Sequence, residues 1–254
     1  MSNLNRQSEF NKNGFLKMES FFSVDEVKKL VVQLELAQKH LHQKHRLDQK
    51  GLIFHPNLYQ HSLQVQQFIA QQKIEKLVSE IAGEEVWVRW DQTITKTPNG
   101  NPFPWHRDNV YNKLKAKHYQ FWIALTPMTQ ENGALWIMPG SHNINKIKHS
   151  KTSNHWQADN VNESKQLLVE AKVGDVVVFS SHLLHKTEKN ESQQNRTAFV
   201  IEFMRQSDFD PGIKPPYLFI NNGKPNMRSK HPKDNWFTKR FSLIKKTKGE
   251  HRWV

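Results

Sequence analysis

Residues 85–96, with the sequence EVWVRWDQTITK, are dominated by β-branched and aromatic side chains. Such residues favour a pleated, half-buried strand over a helix. Short runs of the same character recur downstream, separated by turn signals such as Pro98-Asn99-Gly100 and Glu131-Asn132-Gly133. The pattern predicts strands at 85–96, 118–125, 133–138, 165–170, 175–180, 183–188 and 196–204.

The sequence before this β-rich region has a helical pattern. Ser23 and Glu26 form a capping box, and the apolar spacing that follows predicts a helix over 24–40. A second helix is predicted over 62–82, with Gly83 as its C-cap. Helices followed by many short strands predict a mainly β protein, a sandwich or jelly roll with the N-terminal helices packed on one sheet.

The chain length and composition predict the domain organisation. With 254 residues, we expect one domain over 1–254, made of a helical front (10–84), a jelly-roll core (85–205) and a basic C-terminal extension (206–254). The prolines that argue against regular structure in the extension are Pro211, Pro215 and Pro216. The aromatic residues expected to anchor it to the body are Trp236, Phe237, Phe241 and Trp253.

Composition also limits the class of protein. The chain has no cysteine, which excludes disulfides, zinc–thiolate sites and thiol nucleophiles. It lacks a secretory signal in residues 1–10 and any apolar run near the roughly 20 residues that span a membrane, so we expect a cytoplasmic protein with no membrane partner. The net charge of +13 fits a nucleic-acid or anionic partner, or a solvated surface. Because Lys and Arg are spread along the chain, we favour the solvated surface.

The most informative segment for chemistry is Pro104-Trp105-His106-Arg107-Asp108-Asn109. In an extended backbone, His106 and Asp108 point to the same side, as two ligands of one ion must. A second imidazole would complete a face of two histidines and one carboxylate, which leaves open positions for a bidentate co-substrate and oxygen. The pair alone is a weak signal, because His-x-Asp also occurs by chance.

The third ligand is expected just after the predicted strand 175–180, where His182 and His185 are both candidates. We favour His185 because Thr187 and Arg196 then fall into consistent places. Folding about the polar turn 189–195 is expected to bring Arg196 opposite His185 on an antiparallel strand, where it could clamp a carboxylate.

Six segments of the chain occur together in an order and spacing that match a known family. They are Gln92-Thr93-Ile94-Thr95-Lys96, Pro104-Trp105-His106-Arg107-Asp108, Trp122-Ile123-Ala124-Leu125-Thr126-Pro127, Glu131-Asn132-Gly133-Ala134-Leu135, Pro139-Gly140-Ser141-His142, and Gly174-Asp175 through His185 to Arg196. With these motifs, most of residues 10–205 resembles the phytanoyl-CoA dioxygenase family.

The resemblance implies a double-stranded β-helix, that is, a jelly roll, with iron(II) held by His106, Asp108 and His185. It also implies 2-oxoglutarate and O2 as co-substrates, with hydroxylation of an unactivated C–H bond and release of succinate and carbon dioxide. The far carboxylate of 2-oxoglutarate is then expected to pair with Arg196 and the Thr187 hydroxyl.

Three further positions are expected around the co-substrate by the same resemblance. Lys96 matches a lysine that reaches 2-oxoglutarate, and Trp122 matches an aromatic wall of its pocket. Gln92 shares a strand face with Lys96 and is expected to point into the same pocket. Asp91 is then expected to face away, in a structural hydrogen bond.

The substrate is expected to be a small metabolite or natural-product intermediate, and the protein a monomer or a homodimer. The basic residues predicted near the pocket edge, which would suit an anionic substrate, are Arg89, Lys113, Lys115, Lys117 and Arg205. The histidines expected outside the site are His118, His142, His149 and His155, most of them on the surface. The insert 143–165 lacks apolar periodicity and is predicted to be a mobile lid.

Three alternatives compete with the oxygenase interpretation. A nucleic-acid demethylase would use the same iron site, but outside the C-terminal tail the chain lacks a tight basic patch interleaved with aromatics. A non-enzymatic jelly-roll binding protein would not need the full set of ligands together with Lys96, Thr187 and Arg196. A zinc or manganese hydrolase or isomerase has no need for an arginine that clamps a dicarboxylate.

Overall fold

The computed structural model describes residues 3–39, 47–152, 155–233 and 251–253. Within these ranges the helices are α1 (Asn3–Asn13), α2 (Val24–Lys39), α3 (Leu63–Ile69), α4 (Gln72–Ala82) and α5 (Asn109–Asn112), with 3-10 turns at Leu58–His61, Ser141–Asn143 and Glu163–Lys165. The strands are β1 (Phe15–Met18), β2 (Leu47–Asp48), β3 (Leu52–Pro56), β4 (Val86–Lys96), β5 (Phe103–His106), β6 (His118–Ala124), β7 (Leu135–Ile137), β8 (Lys148–Lys151), β9 (Trp156–Ala158), β10 (Leu167–Val169), β11 (Val176–Ser180), β12 (His185–Thr187), β13 (Arg196–Arg205), β14 (Tyr217–Asn221), β15 (Lys224–Arg228) and β16 (His251–Trp253).

Two antiparallel sheets form the core. The large sheet has the strand order β1-β11-β6-β13-β4-β14-β15, with β3 also paired to β4, and the small sheet has the order β10-β7-β12-β5. An apolar cluster that includes Trp122 and Val200 from the large sheet and Leu135 and Ile137 from the small sheet lies between them. This arrangement is the predicted jelly roll, and the fold prediction is confirmed.

Strand β13 shows how the large sheet serves two cores. Phe199, Ile201 and Phe203 belong to the cluster that also contains the buried faces of α2, α3 and α4. Ala198 and Val200, at alternate positions, pack toward the small sheet. Because successive side chains of a strand point to opposite faces, one strand carries both the helix-covered core and the wall of the site.

The helical front agrees with prediction for α2 and differs for the second segment. The capping box is present, since the Ser23 backbone N–H donates to Glu26 and the Glu26 N–H donates to the Ser23 hydroxyl. The single helix predicted over 62–82 is wrong, because the chain forms α3 and α4 with a break between them. Ile69 and Ile74 are both fully buried. On one continuous helix they would lie about 140° apart, so the break lets both face the sheet.

The regular structure in the extension was not predicted. Strands β14 and β15 form an antiparallel hairpin, and β14 also pairs with β4. The expectation that prolines exclude regular structure there is wrong, because Pro215 and Pro216 precede β14 and leave its backbone free to pair. Trp253 lies on β16, which pairs with β8. The tail residues Trp236, Phe237 and Phe241 lie outside the described residues.

The insert 143–165 forms regular structure in its described part. Strands β8 and β9 pair, and the side chains of Trp156 and Ala158 are buried. Ala158 belongs to a small cluster with Trp105 and Leu184. The insert is therefore anchored by apolar contacts that its sequence pattern did not reveal, and motion of this segment stays a prediction. Among the described residues, no helix is long and apolar enough to cross a membrane.

Candidate active site

The two histidines of the predicted site face each other on neighbouring strands. His106 ends β5 and pairs with His185, which begins β12, and their ring centroids are 4.1 Å apart. The carboxylate oxygen Oδ1 of Asp108 lies 3.5 Å from His106 Nε2 and 3.6 Å from His185 Nε2. Among the described residues these three side chains form a group whose possible ligand atoms all lie within 4.8 Å of one another. His182 is not part of this group.

The backbone conformation that places Asp108 beside the histidines differs from the extended strand that was expected. Strand β5 ends at His106, and Asp108 has helical backbone angles (φ −62°, ψ −32°) at the start of α5. Its backbone N–H donates to the Ser181 carbonyl at 3.0 Å. The alternation of an extended strand is therefore not what aligns the two ligands. A turn fixed by Ser181 brings the carboxylate beside the imidazoles.

Hydrogen bonds orient each ligand and leave one atom of each facing the others. The Nδ1 atoms of His106 and His185 lie 2.8 and 3.0 Å from the carbonyls of Pro104 and Leu183. Because a carbonyl only accepts, each Nδ1 carries the proton and each Nε2 keeps its lone pair. Gln120 Nε2 donates to Asp108 Oδ2 at 2.9 Å, which leaves Oδ1 free. Two imidazole nitrogens and one carboxylate oxygen fit an iron(II) ion with open positions.

Electrostatics keep the group in the protonation state that a metal needs. Burial, and after it the neighbouring His106, lowers the pKa of His185 to about 4. Burial by itself would raise the pKa of Asp108, but the His185 and His106 imidazoles lower it below its usual value. At neutral pH the site therefore presents a neutral His185 and an ionised Asp108, both competent to ligate.

A second buried group lies at the position predicted for the co-substrate. Arg196 is 1% exposed, and none of its three guanidinium nitrogens has a hydrogen-bond partner among the described residues. Its guanidinium carbon lies 5.5 Å from the centre of the Trp122 ring. Burial lowers the pKa of Arg196 to about 10, so it remains a cation at neutral pH. A buried, unpartnered guanidinium fits a ligand carboxylate.

Lys96 and Thr187 lie next to this arginine. Lys96 pairs with Arg196 in the ladder between β4 and β13, and its ammonium donates to the Thr187 hydroxyl at 2.8 Å and to the Glu188 carbonyl. Burial, followed by the charge of Arg196, lowers the pKa of Lys96 to about 6. The expected pairing of Arg196 with His185 is wrong. The turn 189–195 crosses from the small sheet to the large one, so the partner of Arg196 is Lys96.

A cavity of about 1310 Å³ joins the two groups. His106, Asp108, His185, Thr187 and Arg196 line it, and so do the predicted residues Gln92 and Trp122. Lys96 does not line the cavity itself, but it donates a hydrogen bond to the hydroxyl of Thr187, which does. The lining residues that sequence reasoning missed include Phe103, Tyr111, Gln120, Phe179 and Val200. Their inward direction depends on strand pairing, which their own sequence does not reveal.

The four histidines expected outside the site and the aspartate expected to face away from it differ in burial and contacts. His118 and His149 are fully buried, so their assignment to the surface is wrong. His155 lines the cavity, contrary to expectation, and its ring centroid lies 4.3 Å from that of Phe103, with the two rings tilted by 50°. His142 Nε2 lies 3.1 Å from the Asn11 carbonyl and does not line the cavity. Asp91 is buried and accepts from the Tyr59 backbone N–H at 3.1 Å, which confirms the structural hydrogen bond.

The basic residues expected at the pocket edge divide into three kinds. Arg89 lines the cavity but is neutralised, because it forms ion pairs with Glu202 and Asp210. Lys113 and Lys115 line the cavity with largely exposed side chains. Lys117 and Arg205 do not line it.

A jelly roll that carries two histidines, one carboxylate and a buried arginine in one cavity defines the class of iron(II)- and 2-oxoglutarate-dependent oxygenases. Comparison with known proteins agrees with this class. The model of the family described as Phytanoyl-CoA dioxygenase (PhyH) matches residues 10–198. The chain therefore belongs to the phytanoyl-CoA dioxygenase family, and the predicted enzyme class, an iron(II)- and 2-oxoglutarate-dependent dioxygenase, is confirmed.

Individual relatives are distant. A Stutzerimonas stutzeri protein named "Probable alpha-ketoglutarate-dependent hypophosphite dioxygenase" is 24% identical over 78% of this chain and 77% of its own length. The methylphosphonate hydroxylase of Gimesia maris (strain ATCC 29201 / DSM 8797 / 534-30) is 26% identical over 58% of this chain and 56% of its own. The structure of EctD from S. alaskensis with bound Fe superposes with a TM-score of 0.70 at 19% identity, covering 91% of this chain and 87% of that one. This last likeness shows the fold.

Proposed function

We propose that His106, Asp108 and His185 bind iron(II), and that the protein uses 2-oxoglutarate and O2 to hydroxylate an unactivated C–H bond of a small molecule. The observation that carries the proposal is the presence, in one cavity, of three convergent ligand atoms and a buried arginine that has no hydrogen-bond partner in the described part of the chain. The iron would supply the oxidation, with succinate and carbon dioxide as co-products.

The protein's contribution at the co-substrate end is recognition of a carboxylate. Arg196 would form a bidentate clamp on the far carboxylate of 2-oxoglutarate, and the Thr187 hydroxyl would donate a further hydrogen bond. Lys96 holds Thr187 in place and adds positive charge. The Trp122 ring packs beside the guanidinium and, with Gln92, would form the wall around the bound acid.

At the metal, the protein's contribution is orientation and exclusion of water. The Pro104 and Leu183 carbonyls fix the two imidazole tautomers, and Gln120 fixes the carboxylate. Phe103 and Phe179 have ring centroids 4.4 and 4.8 Å from those of His106 and His185. This apolar wall would keep water away from the reacting atoms, as oxidation of an inert bond requires.

A small substrate, as opposed to a macromolecule, is supported by the dimensions of the site. The ligand group lies inside a cavity of about 1310 Å³, which is somewhat larger than the roughly 300–1,000 Å³ of sites for small molecules. Lys113 and Lys115 at its edge would attract an anionic group, and two relatives are named for hypophosphite and methylphosphonate. A cytoplasmic location and a monomeric or homodimeric state stay predictions.

The test is an anaerobic titration of the metal-free protein with iron(II) and 2-oxoglutarate, followed through the visible charge-transfer band of the chelate. We expect the band in the wild type, its loss in His185→Ala, and a much higher requirement for 2-oxoglutarate in Arg196→Ala. His182→Ala is the matched control, because it removes a neighbouring histidine outside the ligand group. A band that survives in His185→Ala and disappears in His182→Ala would reassign the third ligand.

A further inference from the structure

The end of the cavity away from Arg196 contains a second group of buried polar side chains. It consists of the side chains of Arg89, Glu202, Asp210 and His118, all of which line the cavity and are at most 9% exposed. Gln120 lies between this group and the metal ligands, because its amide donates to Asp108. We call these four residues the inner polar site.

A β-bulge creates the inner polar site. The pairing of β13 with β4 shifts register between Glu202 and Phe203. Without the shift, strand alternation would direct Arg89 to the face opposite Gln92, toward the helices. The bulge directs Arg89 into the cavity, beside Glu202. Bulges often re-aim a side chain next to a site, and this one places a guanidinium between two carboxylates.

The charges of this site do not balance. Arg89 Nε donates to Asp210 Oδ2 at 2.7 Å, and its Nη1 donates to Glu202 Oε2. One guanidinium therefore faces two carboxyl groups, so one of them lacks a cation of its own, and burial raises the pKa of Glu202 above its ordinary value. Two further basic residues that line the cavity, Lys113 and Lys115, have exposed side chains at its edge.

His118 supplies an independent sign of a missing ligand. It is fully buried and lines the cavity, yet neither of its ring nitrogens has a hydrogen-bond partner among the described residues. Its Nε2 lies 3.6 Å from Glu202 Oε2, beyond hydrogen-bond distance. A buried imidazole without partners costs free energy, which a bound donor would restore.

We propose that the inner polar site binds a protonated amino group of the substrate, with Glu202 as its counter-ion and His118 as a hydrogen-bond partner. A primary ammonium supplies the second cation and carries three donors, enough for the Glu202 carboxylate and the imidazole lone pair. An anionic group on the same molecule would lie toward Lys113 and Lys115. This inference rests on the proposed function, because it assigns the substrate end of the same cavity.

The test compares three probes of similar length, n-pentylamine, 1-pentanol and pentanoate. Their binding to the anaerobic protein with iron(II) and 2-oxoglutarate is measured by calorimetry. We expect the amine to bind at least about tenfold more tightly than the other two, as for a desolvated charge pair. Glu202→Gln should reduce the amine's affinity to about that of the alcohol. Glu35→Gln, the same change on the exposed surface of α2, should leave all three affinities unchanged.

Other outcomes overturn the inference. Tighter binding of pentanoate would mean that Arg89 selects an anion, and an amine preference that survives Glu202→Gln would remove Glu202 as the counter-ion. Equal or absent binding of the three probes also overturns it. Asp210→Asn, which removes the other carboxylate, is the second variant if Glu202→Gln does not fold, and the same loss of preference is expected.

Failure of the proposed function gives a different result. The chelate band of wild type and of Glu202→Gln is recorded in the same samples. Absence of the band in wild type counts against the metal and co-substrate assignments. The amine preference is then measured on the protein without iron, because the four side chains that carry it do not include a metal ligand.

Discussion

Two buried arginines face the same cavity, and the protein surrounds them in opposite ways. Arg89 forms ion pairs with Glu202 and Asp210, whereas Arg196 makes no hydrogen bond to any described residue. A buried charge without a partner costs several kcal/mol, so folding alone does not explain Arg196. Arg89 is part of the protein's own charge network, and the lack of such a network around Arg196 supports the proposal that this residue binds an acidic ligand.

The neighbours of the two arginines explain the difference. The bulge in β4 turns Arg89 toward Glu202, and the segment after β13 supplies Asp210. Around Arg196 the neighbours are the basic side chain of Lys96 and the indole of Trp122, and neither supplies a negative charge. A dicarboxylate can therefore be neutralised at the Arg196 end. The Arg89 end, with its two carboxyl groups, suits a positively charged group of the substrate.

The largest expected effect is on stability, in Arg89→Met. This change leaves Glu202 and Asp210 buried without their cation, and we expect the free energy of unfolding to fall by about 3–5 kcal/mol. The affinity for 2-oxoglutarate should stay within about threefold of wild type, because the proposed binding site of the co-substrate is at the other arginine, Arg196. Chemical denaturation and the chelate band measure the two quantities. A loss of stability below about 1 kcal/mol would contradict the assignment of Arg89 as a paired charge.

Arg196→Met should show the reverse pattern. We expect the affinity for 2-oxoglutarate to fall about 100-fold, or about 2.7 kcal/mol, with no loss of unfolding free energy in the absence of ligand. The stability is retained because the variant removes an unpaired buried charge. The same two measurements apply, and Arg89→Met serves as the matched control. Destabilisation with unchanged 2-oxoglutarate affinity would show that Arg196 is structural.

Gln120 lies between the two ends, and its replacement tests the orientation of Asp108. In Gln120→Leu we expect iron(II) affinity to fall about tenfold, because a ligand carboxylate loses the hydrogen bond that directs its free oxygen. Metal titration under anaerobic conditions measures this. Gln206→Leu, at the end of the same sheet and outside the cavity, is the control. Equal iron affinity in both variants would remove Gln120 as a positioning residue.

The smallest expected effect is a pH dependence at the Arg196 end. The pKa of Lys96 is lowered to about 6 by burial and then by Arg196, so the ligand-free protein holds it mostly neutral at pH 8. A bound dicarboxylate favours the ammonium form, and binding therefore takes up a proton. We expect 2-oxoglutarate affinity to fall about threefold per pH unit from pH 6 to 8. His185, with a pKa of about 4, does not titrate in this range. In Lys96→Met the dependence should be absent, and a slope that persists would assign it to another group.

Local sequence patterns predicted most of the strands and part of the site. The capping box at Ser23 and the strand periodicity from 85 to 204 depend on neighbours close in sequence, and the structure has both. The strand partner of Arg196 and the burial of His118 were predicted wrongly. Both depend on which sheet a strand joins, and residues far apart in sequence decide that.

The sequence by itself determined the jelly roll and the set of candidate ligands, because alternating side chains and the His-x-Asp segment are local features. Tertiary structure decided how these residues meet. Pairing of β5 with β12 brings the two histidines together, and a turn held by Ser181 adds the carboxylate. The bulge in β4 opposite Glu202 turns Arg89 toward its partners, while Arg196 has no hydrogen-bond partner in the ranges that the structure describes. Strand register is set by burial of whole sheet faces, and no short segment of the chain contains that information.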